Sequence, residues 1–119
     1  MDLALAAASA ASAKQAIDVC VLDVSEPLVI SDYFVICSGS SDRQVRAIAE
    51  EIERVCREHG VRPAHREGQQ AARWVLLDFV DFVVHVFDEE ARSFYNLERL
   101  WQDAPVVARS NDVGSLVTV

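Results

Sequence analysis

A chain of 119 residues holds about one domain, and 51% hydrophobic content is enough for a core without disulfides or metal. Nineteen acids against eleven bases leave a net charge of −8, which repels phosphate backbones, so direct nucleic-acid binding is disfavoured and a basic protein partner favoured. From Asp78 to Asp103 seven acids stand against two bases, so that stretch alone carries −5.

The N-terminal "MDLALAAASAASAKQA" is small and apolar. Asp2 stands where a secretory signal would have a basic residue, and no apolar run that follows could span a bilayer. The stretch reads as a poorly capped Ala-rich helix in a cytoplasmic protein that does not meet a membrane. Residues 18 to 24, "DVCVLDV", are rich in β-branched residues and predict a first strand, stopped at Pro27. "DYFVICSG", Asp32 to Gly39, predicts a second, followed by a Ser-Gly-Ser-Ser turn.

Ser41 and Gln44 then have capping-box spacing, and Val45, Ile48, Ala49, Ile52, Val55 and Cys56 recur at helical intervals. On the other face Arg46 and Glu50, Glu50 and Arg54, and Glu53 and Arg57 are spaced to pair, and Gly60 sits where a left-handed stop is expected. After a polar loop, "VRPAHREGQQA", the run "ARWVLLDFVDFVVHVF" predicts a β-hairpin reversing near Val80 and Asp81.

On a helical wheel "ARSFYNLERLW" places Phe94, Leu97, Leu100 and Trp101 on one stripe, which predicts a short helix burying those four residues against the sheet. Tyr95 falls off the stripe, at the edge of the acidic region. Residues 106–119 read as a mobile or lightly packed tail outside a single domain of residues 1–105. The order β-β-α-β-β with helices at both ends describes a mixed sheet flanked by helices, an α/β (α+β) domain. Cys20, Cys37 and Cys56 are odd in number and lack CxxC spacing, as buried reduced thiols do.

Few constellations carry chemistry. "CSGSSDRQV" is a Gly-Ser turn before a helix, where backbone N–H groups could hold a phosphate, but no P-loop lysine follows. Nucleotidyltransferases combine such a turn with two metal-binding carboxylates on a later strand. Only Asp78 and Asp81 are available, and their i,i+3 spacing does not put both on one side of a strand. A turn at Val80 could still bring them together, so a small nucleotidyltransferase-like enzyme stands as the alternative reading. His59, His65 and His85 have no ligand at metal spacing, and no serine or cysteine has an evident base. What remains is a binding surface. Trp74, Leu76 and Asp78 share one face of their strand and Val75, Leu77 and Phe79 the other, so both faces need cover. A terminal helix or a partner could supply the second layer, and aromatic residues beside acids suit protein recognition.

Together, "SDYFVICSGSSDRQVRAIAEEI", "REG", "RWVLLDFVDFVVHVF" and "FYNLERLW" resemble the ribosomal silencing factor, or iojap-like, family over residues 17 to 103. The resemblance implies a nucleotidyltransferase-like fold without enzymatic activity, metal or cofactor. It also implies binding to the large ribosomal subunit through ribosomal protein L fourteen, which blocks joining of the small subunit and silences translation when nutrients are short. Relatives in organelles act in large-subunit assembly, and relatives can form a homodimer when free. The family's partner surface falls at Trp74 and Phe79, with Asp78, Asp81, His85 and Phe87 at matching hairpin positions. Tyr95 joins them from its place beside the acidic rim. Val80 stands where many relatives have Gly, so another turn type is expected there, because a β-branched residue at positive φ is costly.

Overall fold

A computed structural model describes residues 2–26, 31–111 and 113–119, so the expected stop at Pro27 lies outside the described residues. The elements are α1 (Asp2–Ala13), β1 (Ile17–Asp23), β2 (Tyr33–Gly39), α2 (Asp42–Glu58), β3 (His65–Glu67), β4 (Trp74–Asp78), β5 (Phe82–Asp88), α3 (Glu89–Tyr95), α4 (Leu97–Leu100), β6 (Val106–Ser110) and β7 (Leu116–Thr118). Seven strands make one mixed sheet in the order β3-β4-β5-β2-β1-β6-β7. Among the described residues only β2 and β5 run parallel, and the chain between them carries the α2 crossover that a parallel pair needs.

One sheet face is closed by α1 and α2. Val45, Ile48, Ala49, Ile52 and Cys56 are buried as the helical period predicts, against Val35, Val75, Leu77, Val84 and Val86. On α1, Ala4, Ala7, Ala8, Ala10 and Ala11 are buried, small enough for close approach to α2. Ser41 Oγ accepts the Gln44 N–H at 3.1 Å, while Gln44 Oε1 accepts from the N–H and hydroxyl of Ser40, one residue before the expected partner. Gly60 takes φ +77 after the helix.

The ion pairs of α2 differ from those expected. Arg46 pairs with Asp42, Arg54 with Glu51 and Glu58, and Glu53 with Arg66 of β3. Arg54 reaches both oxygens of Glu51 at 2.8 and 2.9 Å, a forked geometry that a single contact to Glu50 would not match.

Three expectations need correction. The polar loop contains β3, which pairs with β4 through His65↔Asp78 and Glu67↔Leu76. The stretch after Pro105 forms β6 and β7: β6 pairs with β1, and Ala108 is fully buried. β1 is thereby hydrogen-bonded on both edges, which its run of buried residues requires. Finally, Ala91 to Trp101 is two short helices, broken at Asn96 in the left-handed conformation, φ +47 and ψ +59. Asn tolerates that conformation better than most residues, and the break rotates the second half of the wheel. Leu97 and Trp101 still pack on the sheet, but Phe94 and Leu100 are 81% and 72% exposed.

Cys20, Cys37 and Cys56 are free and buried. Burial raises the thiol pKa to about 11 at Cys20 and Cys56 and about 12 at Cys37, which leaves them unreactive.

Candidate functional site

Strand alternation divides the hairpin between the two sheet faces. Val75, Leu77, Phe82, Val84 and Val86 lie beneath the helices. Trp74, Val83 and Phe87 belong to the opposite layer, with Phe34, Ile36, Ala91, Leu97 and Trp101. Register then decides the neighbours, because Trp74 is opposite Phe87, and Leu76 opposite His85.

The Trp74 ring stacks on Phe87 at 5.0 Å, and its indole N–H donates to His85 Nδ1 at 3.1 Å. Tyr95 closes over Trp74 with ring centroids 4.6 Å apart, and Phe94 meets Tyr95 edge-on at 5.1 Å. Trp74 is half-buried, whereas Tyr95 is 51% exposed. The result is an aromatic ledge carried by α3 and β4. α3 is fixed at its start by Asp88, whose carboxylate accepts the Ala91 N–H at 2.7 Å, an N-cap worth about 1 kcal/mol. Arg73 links Asp88 and Glu90 beside the ledge, at 3.4 and 3.2 Å, and Glu89 is exposed next to them.

The expected site residues do not form one patch. Trp74, His85, Phe87 and Tyr95 come together, but His85 and Phe87 are only 5% and 0% exposed and support the ledge from below. Asp78, Phe79 and Asp81 lie at the hairpin tip, about four residues or 13 Å along the strand from Trp74. Phe79 is buried and stacks on Phe82 at 4.8 Å in the layer beneath the helices. Its side chain is therefore a core group rather than a contact group.

At the tip the expectation that Val80 would avoid positive φ fails. Val80 adopts φ +75, and the Asp81 N–H donates to the Phe79 carbonyl at 3.0 Å, a three-residue γ-turn. Four bonds hold it. Asp78 Oδ1 accepts the Val80 N–H at 2.8 Å, Ser31 Oγ donates to the Val80 carbonyl at 2.9 Å, the Asp32 N–H donates to the Asp81 carbonyl at 2.8 Å, and the Phe79 N–H donates to the Phe82 carbonyl at 2.9 Å. Val80 and Asp81 are exposed at the apex.

The Gly-Ser turn and the hairpin acids lie at opposite ends of the sheet. Gly39 is opposite Asp88, whereas Tyr33 is opposite Phe82, which separates them by about 20 Å of strand. Ser38 is buried, donates to the Ile17 carbonyl at 3.2 Å and accepts from Arg92 at 3.2 Å. Among the described residues no group of three or more His, Cys, Asp or Glu side chains is placed to hold a metal.

Phe94 and Leu100 are the surface residues that sequence reasoning missed. The signal was Asn96, a residue suited to left-handed φ in the middle of an otherwise uniform helical stripe. Among the described residues no helix is long and apolar enough to cross a membrane.

Comparison with known proteins bears on this arrangement. The family model described as "Ribosomal silencing factor during starvation" matches residues 1–117. Ribosomal silencing factor RsfS of Bacillus subtilis (strain 168) is 50% identical over 100 residues, covering 84% of this chain and 85% of its own length. The mouse protein named "Mitochondrial assembly of ribosomal large subunit protein 1" is 34% identical over 87 residues, covering 71% of this chain and 38% of its own. A solved Bacillus halodurans structure superposes with a TM-score of 0.75 at 42% identity, covering 89% of this chain and 93% of its own. The bacterial relative's name describes a regulatory factor, and the fold is shared along nearly the whole chain. With its mixed seven-stranded sheet and its aromatic ledge, this chain belongs to the ribosomal silencing factor family.

Proposed function

We propose that this protein docks in the cytoplasm on the large ribosomal subunit through ribosomal protein L fourteen, and that its bulk there excludes the small subunit and silences translation when nutrients are short. The observation that carries this reading is the ledge: a half-buried Trp74 between Phe87 and Tyr95, with Phe94 largely exposed. Large aromatic groups held rigidly beside solvent lose little entropy on binding and anchor protein interfaces. The charge of −8 and the acids at Asp78, Asp81, Glu89 and Glu90 suit a basic partner and would speed the encounter. Free of the ribosome, the same apolar face pairs with a second copy.

Sedimentation of mixed subunits tests the proposal. Saturating protein should keep large and small subunits apart, and unchanged subunit joining would refute exclusion. Trp74→Ala should weaken binding to the large subunit by about 2 kcal/mol or more, and a folded variant with parental binding would remove Trp74 from the interface. A second reading, large-subunit assembly, is favoured by the name of the mouse relative. It predicts incomplete large subunits in cells lacking the protein, with normal joining of mature subunits in its presence.

A further inference from the structure

Among the described residues His85 is the buried histidine, 5% exposed, in a layer otherwise built from Phe34, Ile36, Phe87 and other apolar groups. An indole nitrogen only donates, so the 3.1 Å contact from Trp74 requires His85 Nδ1 to be the bare, accepting nitrogen. The ring proton then sits on Nε2, which is buried without a hydrogen-bond partner. Burial also lowers the pKa of the imidazole to about 4, so the accepting form persists at neutral pH.

This arrangement is a poor way to stabilise a core. A buried donor without a partner is costly, and an apolar side chain of similar size would avoid that cost. What the imidazole supplies, and a leucine would not, is an acceptor aimed at the indole. Trp74 needs one, because stacking on Phe87 and contact with Tyr95 hold the plane of its ring without fixing which edge faces inward. The hydrogen bond selects that edge.

We propose that His85 is a positioning residue for docking: its Nδ1 locks the Trp74 indole in the orientation the partner meets, while His85 itself touches nothing outside the chain. The inference rests on the docking reading above. It separates two properties that usually fall together. Removing the acceptor weakens docking but, for stability, exchanges one unpartnered N–H, that of His85 Nε2, for another, that of the half-buried Trp74 indole, and leaves it nearly unchanged.

Two substitutions and one double variant test it, in a Trp101→Phe background so that a single indole signal remains. His85→Leu should shift the Trp74 indole N–H resonance upfield and speed its exchange with solvent. It should weaken binding to the large subunit about tenfold, with a melting temperature close to that of the background. His85→Asn, whose amide oxygen can stand where Nδ1 stands, should restore both resonance and binding. In a Trp74→Phe chain, which has no indole donor, His85→Leu should cause no further loss of binding.

Parental binding by folded His85→Leu overturns the proposal, as does an equal loss in the Trp74→Phe chain. A His85→Leu chain that fails to fold, or melts far below the background, overturns the claim that the imidazole is not there for stability. If the background protein itself does not sediment with large subunits, the docking reading fails, and the positioning role falls with it. A background protein that binds, beside a His85→Leu variant that binds equally, removes the positioning role alone.

Discussion

Val80 holds the apex of the hairpin at φ +75, a conformation that costs a β-branched residue about 1 to 3 kcal/mol. It is more than half exposed, so removing its side chain forfeits little burial. Val80→Gly relieves the strain but adds freedom to the unfolded chain, a cost of up to about 1 kcal/mol. A net gain of about 1 kcal/mol is expected in urea denaturation, whereas Val80→Ala, still bearing a Cβ, should gain far less. Equal midpoints for the parent and the glycine variant would mean that the four bonds around the turn leave no strain to release. His85 makes the complementary prediction in pH. Its folded pKa is lowered to about 4 from an ordinary 6.5 by burial, so between those values the unfolded chain binds more protons than the folded one. Stability is then full above pH 6.5 and declines as pH falls toward 4, by roughly 3 kcal/mol at about 1.4 kcal/mol per pKa unit. Denaturation midpoints from pH 7 to 4 should show this decline in the parent and a flatter limb in His85→Leu. Identical slopes would assign the acid sensitivity to carboxylates such as Asp23 and Asp42, whose pKa values are lowered by hydrogen bonds from Ser25 and Arg46.

The helices α3 and α4 carry the exposed aromatic residues, yet each is too short to be stable alone. Arg92 ties them down: its side chain is only 13% exposed and donates to the Ile17 carbonyl at 3.0 Å, to Ser38 Oγ at 3.2 Å and to Glu98 at 2.7 Å. It thus joins α3 to α4, β1 and β2 at once. Arg92→Met keeps the apolar stem but leaves Glu98 without its donor and the Ile17 carbonyl with Ser38 Oγ alone. A loss of about 2 kcal/mol is expected, with faster amide exchange across Leu97 to Trp101. Exchange unchanged in that segment would mean that α4 is held by Leu97 and Trp101 packing alone. Elements with a clear period were legible in the sequence for the same reason that they are stable. The apolar repeat of α2 and the alternation of Trp74 to Asp78 each bury one face, so pattern and packing coincide. β3, "HRE", is exposed at every position, and backbone pairing alone defines it. The break at Asn96 is a single dihedral choice, and a wheel that assumes continuous helix sends Phe94 and Leu100 inward. For the candidate site, sequence reasoning named Trp74 and Tyr95, which the structure brings together in the ledge. It counted Phe79 and Phe87 as contacts because they match the family's hairpin positions, and a matching position does not tell how deeply a side chain is covered in this chain.

At the scale of the whole molecule, the two faces of the sheet are covered unequally. α1 and α2 close one face with two long helices, while α3 and α4 cover only part of the other, which leaves the ledge open. Such a sheet depends on its strands being paired, and β1 shows how far that dependence reaches. Val21 and Leu22 are buried, paired with Val35 and Phe34 of β2 on one side and with Ala108 and Val106 of β6 on the other. Val19 adds a bond from its N–H to Ser110 Oγ at 3.1 Å. A chain ending at Pro105 would make β1 an edge strand, strip its ladder to β6 and uncover apolar surface on both faces of the sheet. Lost pairing and burial together should lower stability by at least about 3 kcal/mol, with rapid amide exchange in Val19 to Leu22 and a smaller urea m-value from the reduced area. Docking should fail alongside folding, because the Ile17 carbonyl that anchors Arg92, and through it α3 and the ledge, sits at the start of this strand. A truncated chain with the parental melting temperature and protected β1 amides would show that residues 106–119 add nothing to the domain, and would restore the boundary at Pro105 expected from the sequence.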